Sequence, residues 1–119
     1  MSKDSTLGNI QVSPRAIASI AGEAVVSCYG VVGMAAATLR DGIAEILQQD
    51  NYLRGIDVQV LDGRIVIDLY VVVEYGTRIS EVAHNVMRSV KFAVERALGM
   101  AVAEVNVHVQ GLRVSDSDS

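Results

Sequence analysis

The chain has no tryptophan and, in 119 residues, only one cysteine, one proline and one phenylalanine. A single thiol, Cys28, excludes an internal disulfide and fits a reducing compartment. No apolar run is long enough for a bilayer. The longest uncharged stretch, Ala24–Leu39, is 16 residues interrupted by Gly30 and Gly33, whereas a spanning helix takes about 20. The opening MSKDST lacks the basic-then-apolar pattern of a secretion signal. Positive charge is also scarce. Lys and Arg number 10 against 14 Asp and Glu, a net charge of −4 scattered along the chain. Nucleic-acid binders concentrate Lys and Arg, so no nucleic-acid partner is expected. The expectation is a cytoplasmic protein without direct membrane insertion.

What the chain does have is branched apolar residues. Half of it is hydrophobic and a fifth is charged, enough for one folded domain with a single core. The centre of the pattern is RIVIDLYVVVEYG, Arg64–Gly76. Side chains alternate along a strand, so Ile65, Ile67, Leu69, Val71 and Val73 share one face and Val66, Asp68, Tyr70, Val72 and Glu74 the other. The second face is too apolar to be wholly solvated. Ile56–Leu61 forms a partner strand, joined through the two-residue hairpin turn Asp62-Gly63.

Around this hairpin the chain reads in order. Leu7–Val12 alternates weakly as a first strand, and Ser13-Pro14 marks a helix start. Ile17, Ile20, Ala21, Ala24, Val25 and Cys28 keep helical spacing, with Gly22 inside the helix and Gly30 as a left-handed stop. Leu39, Ile43, Ile46 and Leu47 suggest a short accessory helix broken at Asp41-Gly42. Ser80 is expected to cap a second long helix running to Leu98, ended by Gly99. Val105, Val107 and Val109 alternate as the last strand. The expected class is α+β: a two-layer β-α-β-β-α-β sandwich with two long helices on one face of a four-stranded, mostly antiparallel sheet. That order suggests a ferredoxin-like split βαβ arrangement. The domain spans residues 7–114, between short flexible termini at 1–6 and at the polar tail 115–119.

The candidate chemistry is thin. Cys28 with His84 or His108 would suit thiolate catalysis, but its place on the apolar stripe favours an inert core thiol. The two histidines lack the spacing of a zinc site, and no metal or cofactor is expected. Asp68, inside an apolar strand, is a candidate buried polar group, as is His108; Asp68 is either a raised-pKa acid or the acceptor of a bond from Tyr70, His108 or another subunit. Gly30–Gly33 has the GxxG form of an RNA-clamping loop, but no basic residue lies between Glu23 and Arg40, so a tight turn is expected.

Surfaces carry more. Phe92 falls at a helical angle among His84, Arg88 and Arg96, away from the valines. Aromatics beside arginines are typical anchors of protein interfaces, the competing reading being that the accessory segment folds over Phe92. Val66, Tyr70 and Val72 make a second candidate interface on the sheet. Phe92, Arg88 and Arg96 complete the set.

The stretches GNIQVSPRAIASIAGEAV, GVVGM, DLYVVVEYGTRISEVAHNVMRSVKFAVE and VAEVNVHVQGL give the chain, from Gly8 to Val114, a domain-wide resemblance to the alkaline shock protein family of Gram-positive bacteria, nearest its small YloU-like branch. It departs from the family pattern at Ser80, where many relatives carry proline, and at Phe92, where relatives tend to be polar. The resemblance implies a non-enzymatic factor in envelope stress response and homeostasis. It further implies a homo-oligomer held near the membrane by a membrane-anchored protein, or linked to a fatty-acid-kinase-type enzyme. It brings no catalytic residues with it. The reading is therefore a scaffold or adaptor, the rival being a small-molecule, lipid-related regulatory module.

Overall fold

The computed structural model describes residues 12–36 and 49–114. The expected first strand (apart from Val12), the accessory helix and the tail after Val114 lie outside them. The described elements are α1 (Pro14–Val26), β1 (Val31–Met34), a 3₁₀ segment (Gln49–Gly55), β2 (Ile56–Leu61), β3 (Arg64–Glu74), α2 (Ile79–Leu98) and β4 (Glu104–Arg113). They form the expected α+β layers, a mixed four-stranded sheet with both helices on one face.

The β2–β3 hairpin follows from its turn. Asp62 and Gly63 both take positive φ, 51° and 76°, as a two-residue hairpin turn matched to strand twist requires. Pairing runs from Leu61↔Arg64 to Ile56↔Leu69 and then β2 ends. β3 continues beyond it, and β1 takes over the same edge antiparallel, with Val31↔Val73 and Met34↔Val71. The Gly30–Gly33 run, expected as a tight turn, is therefore largely strand. The physical reason is that β3 is longer than β2 and its exposed ladder needs a second partner. The opposite edge of β3 belongs to β4, parallel from Val66↔Glu104 to Glu74↔Arg113. A single helix connects neighbouring parallel strands readily, so α2 sets β4 directly beside β3, where a split βαβ arrangement would insert another strand. Gln110 is bulged out of this ladder, since Val71 faces Val109 and Val72 faces Gly111.

The core sits between β3 and the helices. Ile65, Ile67, Leu69, Val71 and Val73 are each at most 2% exposed, against Ile17, Ala21 and Val25 of α1 and Val82, Val86, Val90 and Val94 of α2. Each large side chain among them contributes roughly 2 kcal/mol by leaving water. Ser13 caps α1 by accepting from the Ala16 N–H at 3.1 Å, with Pro14 in the first turn. α1 stops at Val26, earlier than its apolar stripe suggested, leaving Cys28 in the connecting turn. The cap of α2 is Arg78, not Ser80, which already lies inside the helix, while Gly99 ends it at φ 72° as expected. The Glu95 carboxylate then accepts from the Val102 N–H at 2.8 Å, tying the helix end to the approach of β4. Gly22 is explained by proximity, because a Cβ there would lie 3.2 Å from Ile56 Cδ1.

Gly30 is the tightest point between the layers. Its φ is 89° and a Cβ would lie 2.6 Å from Val82 Cγ2, while its carbonyl accepts from the Glu74 N–H at 2.8 Å. Gly30→Ala therefore combines backbone strain with overpacking, and is expected to cost about 2–4 kcal/mol. A chemical-denaturation midpoint unchanged from the parent would contradict this account.

Candidate functional site

Strand alternation and register build a polar cluster on the outer face of the sheet, away from the helices. Asp68 faces Asn106, and Tyr70 faces His108 further along the same ladder. His108 Nε2 donates to Asp68 Oδ1 at 2.9 Å, and the His108 ring stacks on Tyr70 with centroids 4.6 Å apart and planes 11° off parallel. Asp68 and His108 are thus partners, but neither is buried: their side chains remain 22% and 40% exposed. The edge strand β4 shelters them from one side only. Burial holds the Tyr70 phenol above its ordinary value, and the charges of Asp68 and Asp57 push it the same way.

A shallow cleft of about 600 Å³ runs from this cluster around β4 to α2, lined by Asp68, His108 and Asn106 on one side and by Ser80, His84 and Met87 on the other. It brings both histidines to one depression. Cys28 is elsewhere: half-buried, its thiol directed at the Ala24 carbonyl at 3.3 Å, it lines a separate depression of about 380 Å³ with Ser27, Tyr29, Asn85 and Ser89. A thiol–imidazole pair is therefore not assembled from Cys28 and these histidines. Among the described residues, no three His, Cys, Asp or Glu converge as metal ligands.

The candidate interface residues fare differently. Val72 is 1% exposed and offers no surface, while Val66 and Tyr70 are half-buried. Both ladder neighbours of Val72, Gly33 and Gly111, lack side chains. Phe92 is 63% exposed, so the reading in which a segment folds over it does not hold. The Arg96 guanidinium lies 5.8 Å from the centre of its ring, and Arg88 and Lys91 are exposed on the same helix. None of these three cations pairs with a carboxylate of a described residue; the ion pairs there are Arg78–Glu81 and His108–Asp68. Tyr29, 80% exposed just past the end of α1, was not anticipated as a surface residue. Its position in a turn beyond the helix was the available signal.

The raised Tyr70 value has a testable sign. The folded chain keeps this proton to higher pH than the unfolded chain, so its contribution is complete below about pH 10 and is lost as pH rises through the raised value. Thermal melts of Tyr70→Phe should show a shallower loss of stability above about pH 10 than the parent. Parallel curves would exclude a Tyr70 contribution.

Comparison with known proteins follows this geometry. No solved structure matches the chain. It is 49% identical over 110 residues to the uncharacterized protein YloU of Bacillus subtilis (strain 168), covering 92% of each chain. It is 39% identical over 108 residues to the uncharacterized protein Spy1614 of Streptococcus pyogenes serotype M6 (strain ATCC BAA-946 / MGAS10394), covering 90% of this chain and 89% of that one. The uncharacterized protein YqhY of Bacillus subtilis (strain 168) is 30% identical over 111 residues, covering 93% and 82%. Residues 2–114 match the model of the alkaline shock protein family, described as having a cell envelope-related function, and the chain belongs to that family as a YloU-like member.

Proposed function

We propose that this protein is a non-enzymatic scaffold or adaptor serving cell-envelope homeostasis, acting through self-association and through protein partners. The observation that carries the reading is Phe92, exposed on α2 with Arg96 beside its ring and further cations along the helix. Aromatic and arginine side chains dominate the energetics of protein interfaces, and an exposed aromatic gains most by being covered. The family's cell envelope-related function supplies the setting. No described helix is long and apolar enough to cross a membrane, so a place at the envelope would come through a partner.

A second reading has its own support. The Asp68–His108 pair and its cleft offer an acceptor, ring donors and an apolar flank from Val105 and Val107, a lining that suits a small amphiphilic ligand. This is the regulatory-module alternative, with lipid-related molecules as its class.

Light scattering coupled to size exclusion distinguishes them. The scaffold reading expects an oligomer at micromolar concentration, and a strictly monomeric chain removes the self-association. Thermal shift against fatty acids and acyl phosphates tests the rival. The expected result under the scaffold reading is no movement, and a saturable rise abolished by His108→Ala would favour the regulatory module.

A further inference from the structure

The outward face of the helical layer has a shape and a charge that specify more than a generic contact. Asn85, Ser89, Phe92 and Arg96 recur at spacings of four, three and four. At 100° per residue they fall within about 60° of arc, one straight stripe along α2. The stripe borders α1, since Asn85 and Ser89 line the depression shared with Ala24, Ser27 and Tyr29. Short side chains at Asn85 and Ser89 leave that depression open between two exposed aromatics, Tyr29 and Phe92. Arg88, Lys91 and Arg96 crowd three of the chain's 10 Lys and Arg into nine consecutive positions. The one acid among those positions, Glu95, is engaged by the Val102 N–H.

We infer that the groove between α1 and α2, with Phe92 as its anchor, docks an acidic amphipathic helix from a partner protein. This inference rests on the adaptor reading above and names the partner's chemistry. A four-three-four stripe beside an open interhelical groove is what a third helix reads, one residue per turn. Three cations without described carboxylate partners, on a chain of net charge −4, select a partner with acidic flanks. A second copy meeting this face about a twofold axis would set the cations against themselves. An anionic bilayer is disfavoured as well. The broad apolar face of α2 is spent on the core through Val82, Val86, Val90 and Val94, and the stripe holds only one large apolar side chain.

The test uses the full chain, isotope-labelled for NMR and titrated with a synthetic capped helix of three Glu-Ala-Leu-Ala-Glu-Ala-Glu repeats. A control peptide carries Lys at every Glu. Saturable shifts are expected at Tyr29, Asn85, Ser89, Phe92 and Arg96 with the acidic helix, and none with the basic one. Phe92→Ala, exposed and so expected to fold, should weaken binding about tenfold, and Arg88→Glu with Arg96→Glu should abolish it. Circular dichroism checks that the variants remain folded. The inference falls if the acidic helix gives no saturable shift at about 1 mM, a concentration at which even a weak site is occupied. It also falls if the shifts map to the outer sheet face, or if Phe92→Ala leaves affinity intact. Sedimentation of the chain with phosphatidylglycerol vesicles, lost on the same substitutions and without response to the acidic helix, would replace the helix by a lipid surface. Light scattering on the same samples separates the two levels of failure. An oligomer that ignores the acidic helix loses this inference alone, whereas a monomer that ignores it loses the adaptor reading too.

Discussion

An uninterrupted strand of 11 residues, β3, has to be satisfied on both edges and covered on one face, and the rest of the molecule is arranged around that requirement. Its inner side chains are all branched or leucine and are sealed from water. A strand so apolar is stable only where its backbone groups are paired, because an unpaired N–H or C=O in such surroundings forfeits the gain from burial. β2 meets the demand over the first half, β1 over the second, and β4 along nearly the whole of the other edge. The close contact of Gly30 with Val82 locks this sheet against the helical layer.

That requirement also distributes the surfaces. With the inner face committed to the helices, polar residues of β3 and β4 are gathered on the other side, where parallel register aligns Asp68 with Asn106 and Tyr70 with His108. The hydrogen bond and the ring stack follow from that register, with no loop needed to position them. On the opposite layer, α2 turns its valines inward and presents Phe92 and the arginines outward. The two layers therefore expose different chemistry, a half-sheltered acid–imidazole–phenol group on one and a cationic aromatic stripe on the other.

Much of this is legible in the residues. Period-two alternation from Ile65 to Val73, the Asp62-Gly63 turn, Ser13-Pro14 and Gly99 each act through local sterics, and local sterics can be read from neighbours in sequence. The outward placement of Phe92 follows from helical angle in the same way. The strand at Val31–Met34 is harder, since its reason lies in β3, far along the chain, whose length exceeds that of β2. The bond between Asp68 and His108 is one of three options open to the sequence, and only strand order chooses among them. Burial of Val72 runs against its reading as interface, and alternation alone gives no sign of it.

The single unpaired residue in β4 has a consequence of its own. Up to Val109, odd-numbered positions of this strand point toward the helices; past Gln110 the assignment inverts, so Leu112 lines up with Val73 and Arg113 comes to lie opposite Glu74. The extra residue acts as a frameshift within the ladder. It lets one strand carry two alternating patterns of opposite phase, so that β4 finishes in a cross-strand pair of opposite charge instead of pressing an arginine against the valines.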